Sequence, residues 1–357
     1  MRIAITALLL AGCYHPSIPD QSFVCGPDGL CPSGFSCNAA RLCEKSGSTP
    51  SASLYSGLLG DKDLTGLSGI LECSTRTGQM KLRVGSGTSE VDTDIVSAST
   101  VGFFRLAQTS GPTLGVWSFE TFSLPAGITL KPASDSDAMP VLVTIGAMTV
   151  NGAIDWRGFG GFGGLAAQPG QDRSAGVAAG GGAGPMGGGG GGAGYAAVGD
   201  SATSGGAGGA SYGTPDLAIL HAGAGGGGGG DDGGRGGNGG GSVALLSKAQ
   251  ITLASSIDVS GIAGGDAGIT GGGGGGGGSG GSILVSAPQV VLAAGHAFTS
   301  LGGIGGTGTN MESDGGAGSV GRIYLAGTLS GTATSQPAAA SAMTPATSFP
   351  AGATAAP

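Results

Sequence analysis

Charge is scarce in this chain and basic charge scarcest: 14 Lys+Arg stand against 22 Asp+Glu in 357 residues, and charged residues make up 10%. A net charge of −8 without any basic run offers no footprint for nucleic acid. Aromatic residues are 5%, and no helix-period segment of useful length follows the first thirteen residues. No strict Gly-X-Y period occurs, which excludes collagen. What is abundant is glycine, 83 residues, and with 17 prolines the pair account for 100 of 357. That share falls in the range, roughly 25–30%, where low complexity is the default. A mean hydropathy of +0.24 and the low charge nevertheless separate the chain from highly charged disordered sequences.

The N-terminus carries a local signal. Met1-Arg2 gives a positive start, Ile3 to Ala11 is apolar apart from Thr6, and Leu10-Ala11-Gly12-Cys13 follows. This is the pattern of an export signal, whose apolar segment is about 7–15 residues, too short for a membrane helix of about 20. Leu-Ala-Gly-Cys resembles the lipobox of bacterial lipoproteins. The resemblance implies removal of residues 1–12, lipid on Cys13, a membrane-bound tether over 13–24, and, with Tyr14 rather than Asp after the cysteine, an outer-membrane location.

Cys25, Cys31, Cys37 and Cys43 form a C-x5-C-x5-C-x5-C run with turn residues between them. Residues 25–44 are too few for a core, so a disulfide-rich mini-module is expected, with three connectivities open. Four thiolates could also hold zinc, but the spacing and the oxidising compartment favour disulfides. The run resembles small cysteine modules that follow the lipobox in lipoproteins of myxobacteria. Cys73 is left over and reads as a buried, inert thiol.

Residues 45–53 read as a linker, and 54–130, with its short apolar strands, as the β-rich N-terminal part of a solenoid. Over 131–330 the chain repeats. Gly241–Ser247 aligns with Gly281–Ala287 at an offset of 40, and Gln250–Leu253 with Gln289–Leu292 at 39. Met148–Val150 and Ile154–Gly158 align with Ile251–Leu253 and Ile257–Gly261 at 103, and Gly321–Leu325 repeats the opening strand once more. Each unit holds three short strands followed by a glycine-rich excursion (159–241, 262–280 and 302–320). Constant strands with variable insertions at one corner lead to the expected fold: all-β, a parallel β-helix-like solenoid with long glycine-rich insertions, preceded by the disulfide-rich module. Residues 331–357, rich in Ala, Thr, Ser and Pro, read as a disordered tail.

The first excursion holds 38 glycines among the 84 residues from Gly158 to Gly241. Two readings stay open. Loose loops are one, since ordering glycine costs the most backbone entropy. Packed polyproline-II-like strands are the other, the absent side chains allowing close approach as at the collagen axis. The texture resembles the repeats of the mycobacterial PE-PGRS proteins, without their N-terminal domain. The stretch 90–326 as a whole resembles glycine-rich surface proteins of myxobacteria.

Little in the sequence points to catalysis. His15 adjoins the lipid site, and His221 and His296 have no carboxylate near them in sequence. No glycine run ends in Gly-Lys-Ser/Thr, so a phosphate loop is excluded. Asp231-Asp232, set in glycine, are the calcium candidates, with one imperfect Gly-Gly-x-Gly-x-Asp-like copy at 305–310; no other cofactor is implied. Polysaccharide lyases and hydrolases use β-helices, but the middle strands supply only Asp155, Arg157, Lys248 and Asp258, and Asp135 and Asp137 read as solvating a turn. Trp117, Trp156, Phe159 and Phe162 could stack on sugars or fill a core. The expectation is a non-enzymatic, lipid-anchored surface protein, structural or adhesive, touching membrane through its lipid and polysaccharide or a neighbouring cell surface through its body. The alternatives are a polysaccharide-degrading enzyme and a ligand-free filler of the envelope.

Overall fold

The computed structural model describes residues 58–85, 91–97, 102–108, 111–165, 180–184, 187–268, 271–309 and 314–342, with the strand backbones at 35–37, 43–45 and 354–355. Cys13, the lipobox, Cys25, Cys31 and the 45–53 linker (past its first residue) lie outside them. The chain divides into two units, Met1–Ser51 and Ala52–Pro357. In the first, Phe35–Cys37 pairs antiparallel with Cys43–Lys45, with Cys37 opposite Cys43 in register; no disulfide is seen among the described residues.

The second unit is all-β, its sheets parallel and mixed, without a helix among the described residues. Its strands fall into three parallel series that the chain visits in a fixed order. One pass runs Leu114–Phe119, Thr121–Leu124, Ile128–Pro132, and the next Met139–Thr144, Met148–Val150, Ala153–Asp155. After the long insert come Ser242–Ser247, Gln250–Leu253 and Ser256–Asp258. In the last two passes the first two series merge into single bulged strands, Ser282–Leu292 and Arg322–Gly331, followed by Ala297–Thr299 and Thr334–Gln336. Strands pair as the internal repeat requires: Ser242 with Ser282, Gln250 with Gln289, Met148 with Ile251 and Ile154 with Ile257. The pass at 114–132 belongs to the same pattern, although its sequence lacks a glycine excursion. One feature was not expected. The stretch beginning at 331 is not structureless: Thr334–Gln336 and Ala340–Ala342 add parallel strands to the third and first series, and Ala333 and Ala339 pack on the core. Near the start, Gly69–Cys73 joins the third series, and antiparallel strands Met80–Val84, Val91–Val96 and Phe103–Ala107 extend the sheets.

Side-chain patterning follows position. In the second and third series, strands alternate, and residues at one register stack inward: Leu71, Leu130, Ile154, Ile257 and Phe298 form one buried column. Each such aliphatic side chain contributes about 1.5–3 kcal/mol by leaving water. In the first series every residue of Leu114–Phe119, Met139–Thr144 and Ser242–Ser247 is buried. Its outer face is covered by Leu217, Leu220 and Ala222, from the long insert, and by Leu106. Burial on both faces explains continuous apolar runs such as Val141-Leu142-Val143, where the other series alternate.

Candidate functional site

All three glycine excursions leave after the third series and return at the first, and their described residues together form one ordered lattice of extended segments. Backbone hydrogen bonds recur at every third residue. Gly223, Gly226 and Gly229 donate to the carbonyls of Gly240, Gly237 and Gly234 at 2.8, 2.9 and 2.9 Å, an antiparallel pairing. Gly234, Gly237 and Gly240 donate in turn to Gly273, Gly276 and Ser279, each at 2.8 Å, a parallel one. Gly277 and Gly280 continue to Gly316 and Ser319 at 2.9 and 3.0 Å. Three residues per turn without internal hydrogen bonds is polyproline-II geometry, which leaves each N–H and C=O free to bond sideways. Of the two readings left open by the sequence, the structure takes the packed one for the described residues.

Glycine is needed here for the missing Cβ more than for its backbone freedom. Among the described residues of the excursions, left-handed φ is confined to Gly187, Gly213, Gly271, Leu217 and Asp231. Along the runs a Cβ would collide with a neighbour's backbone: on Gly226 it would overlap the carbonyl oxygen of Gly276, and on Gly276 that of Gly191. Interior segments are therefore uninterrupted glycine, as at 225–230 and 272–278, all buried. Edge segments carry a side chain at every third position. Phe159, Phe162 and Leu165 form one row, Arg235 and Asn238 another, and Leu301, Ile304 and Thr307 a third. Phe162 is 52% exposed and Ile304 72%.

The far ends of the segments are polar turns tied to one another. The Asp231 carboxylate accepts the Gly187 N–H at 2.9 Å, Asp266 that of Thr307 at 2.7 Å and Asp314 that of Gly308 at 2.8 Å. Asp231 and Asp232 are exposed, and among the described residues no three His, Cys, Asp or Glu gather to hold a metal. The near end is fastened by a buried polar knot. Ser282 Oγ donates to the His221 carbonyl at 2.7 Å, Ser242 Oγ donates to the same oxygen, and Tyr195 Oη meets Ser282 Oγ. Tyr195 and Tyr212 lie with ring centroids 4.6 Å apart, and His221 stands edge-on to Tyr212 at 5.3 Å. Burial pushes the Tyr195 hydroxyl up to about 12 and, with the Arg322 charge, holds His221 below its ordinary value. His296 is buried against Phe298 at 4.2 Å with neither ring nitrogen hydrogen-bonded, and burial pushes it down to about 4. Neither histidine meets a carboxylate.

Asp155 and Asp258 are register partners on adjacent strands. Arg157 binds Asp155 through Nε and Nη2, both at 2.9 Å, and its Nε lies 3.8 Å from Asp258, while Lys131 Nζ is 3.3 Å from Asp155. The Arg157 hydrogen bonds, helped by Lys131, draw the Asp155 carboxyl down to about 2. A carboxyl acting as proton donor to a glycosidic oxygen has its pKa raised instead, so the group is built as an ion-pair rung. Asp137 pairs with Arg105 at 2.6 Å and Asp135 accepts from Ser74 Oγ at 2.9 Å. Lys248 is exposed beyond the Ser242–Ser247 strand. Of the four aromatic candidates, Trp117 and Trp156 are fully buried and Phe159 packs edge-on to Trp156 at 5.8 Å. Only Phe162 faces outward. Cys73 is buried and free, its thiol pushed up by burial and by Glu72. Tyr195 and Tyr212 went unread in the sequence; the repeat aligned Ser242 with Ser282 and placed Arg322 in the last copy of that strand, without marking it as a site residue.

No protein-family model, curated protein or solved structure matches this chain.

Proposed function

We propose that this is a non-enzymatic surface protein, lipid-anchored through Cys13, in which the three strand series close as a parallel β-helix and the glycine lattice is a rigid adhesive extension. The carrying observation is the lattice itself. Ordered polyglycine segments hold rows of outward apolar side chains and a set of polar turns at fixed positions, and recognition residues characteristically sit on edges and loops fixed by a rigid scaffold. The cysteine run of residues 25–44 would serve as a disulfide knot that precedes this body in the chain. Polysaccharide or the envelope of a neighbouring cell is the surface such an edge would meet.

Two experiments test the reading. Replacing Phe162, Leu165 and Ile304 together by serine should abolish attachment of the producing cells to surfaces and to each other while the melting temperature stays within a degree or two. Unchanged attachment would turn the protein into a ligand-free filler of the envelope. Labelled palmitate should enter the protein and be lost in Cys13→Ser; labelling that survives this change would remove the anchor.

A further inference from the structure

Arg322 begins the fifth consecutive strand of the first series, in register with Ser282 and, one strand further back, with Ser242. Two serines at this column close on the His221 carbonyl, and the arginine that succeeds them cannot. Its Nη2 donates to the carbonyls of Tyr212 and Gly213 at 3.0 and 3.4 Å, and its guanidinium stands 5.4 Å from the centre of the Tyr195 ring. Nε is buried without a hydrogen-bond partner. No carboxylate among the described residues pairs with it, whereas Arg83, Arg105 and Arg157 each meet one. A half-buried cation held only by neutral carbonyls and a ring face lacks the counter-charge that burial normally demands.

Beside it lies a depression of about 190 Å³, lined by Ala196, Pro215, Val320, Pro337 and Ala338 together with Arg322. The next strand of the series is all small: Ala340 faces Tyr324, and Ala338 lies two residues before it. The alanines leave the arginine's row uncovered. The space is below the roughly 300 Å³ at which drug-sized pockets begin, so it fits an end group and not a whole ligand. The fork of a guanidinium matches a carboxylate, and the proline and alanine walls suit a short apolar body.

We propose that the Arg322 depression is a binding site for a carboxylate on a small apolar group, from either a free short-chain acid or the C-terminal carboxylate of a peptide ending in small residues. The site stands on strand geometry alone and does not depend on the adhesive role.

Titration of the full chain with propionate and with acetyl-Ala-Pro-Ala, followed by NMR or calorimetry, tests it, with propionamide and the amidated peptide as controls. Saturable binding of at least one acid is expected, with each amide weaker by about tenfold or more, the loss of one charge-assisted hydrogen bond. A peptide acid bound much more tightly than propionate identifies a chain terminus; equal affinities identify the free acid. Arg322→Gln should remove binding. Should that variant not fold, Ala338→Leu fills the depression from an exposed position and should block binding with an unchanged melt. Amides binding as well as acids, no binding of either acid, or acid binding that survives Ala338→Leu would each overturn the site.

Discussion

The strand series and the glycine lattice are two hydrogen-bonded arrays in one body, and they are stabilised in opposite ways. The strands enclose side chains: Leu71, Leu130, Ile154, Ile257 and Phe298 fill one column with almost no exposure. The lattice excludes side chains, and its segments approach so closely that a methyl group has no room at Gly226 or Gly276. Ordering a backbone residue costs about 1–2 kcal/mol, and glycine costs more than any other. A net hydrogen bond returns only about 0.5–1.5 kcal/mol. Glycine segments therefore cannot order themselves on hydrogen bonds alone. Their ends are set by strands of fixed register, and the Tyr195, Ser242 and Ser282 knot holds the near end down. Dependence should thus run one way, with the lattice relying on the strands.

The strongest challenge to that asymmetry is Gly276→Ala. Its Cβ would overlap the Gly191 carbonyl oxygen, a backbone atom that no rotamer change relieves, so a loss of about 4–5 kcal/mol of lattice stability is expected. Hydrogen exchange should show amides of 223–240 losing protection while those of 251–257 keep theirs. Equal loss in both regions would mean that the strands need the lattice as well.

Ile257→Ala is the converse. It empties a fully buried site in the inward column and should cost about 2–4 kcal/mol in a denaturant melt. Because the strands bound every glycine segment, protection should fall in both regions together. A variant that loosened 251–257 and left 223–240 protected would reverse the proposed order of dependence.

The two regions were also unequally legible in the sequence. Offsets of 40, 39 and 103 residues already contained the pairing of Ser242 with Ser282, Gln250 with Gln289 and Met148 with Ile251, because a repeated strand stacks on its own copy. The lattice carried its own code in plain view: Phe159-Gly-Gly-Phe162-Gly-Gly-Leu165 and Leu301-Gly-Gly-Ile304-Gly-Gly-Thr307 mark edges, and unbroken glycine marks the interior. Composition hid it, since counting glycines discards their phase. Composition also misread 331–342, where alanines and threonines too small to advertise a strand nevertheless continue the stacks. The polar knot was illegible for a different reason. Tyr195, Tyr212 and His221 lie far in sequence from Ser282 and Arg322, and nothing local records their meeting.

Acid separates the regions by a gentler route. His296 sits in the strand region, buried and held at about 4, below the ordinary 6.5. The unfolded chain takes up this proton first, so stability is complete above pH 6.5 and declines as pH falls through 6.5 towards 4. The decline attributable to this residue is on the order of 2–3 kcal/mol. His296→Leu should reduce the difference between melts at pH 7 and pH 4 by that amount, leaving the loss of the same sign that His221 contributes. Exchange at pH 4.5 should rise around 293–299, where His296 is buried, and around His221 in the knot, before it rises in the interior glycine runs.

The smallest effect is also the most specific. Gly268 lies at the end of a lattice segment with no atom within 4 Å of a would-be Cβ and without a left-handed φ. If glycine were required throughout the excursions for conformational freedom, Gly268→Ala would destabilise much as the interior change does. If it is required only where backbones touch, the methyl costs nothing in the folded state and restricts the unfolded chain, a gain of zero to about 1 kcal/mol. A melt of Gly268→Ala set beside Gly276→Ala would then show two identical substitutions in one glycine-rich sequence with opposite signs, and the sign at each site would be fixed by the neighbouring carbonyl.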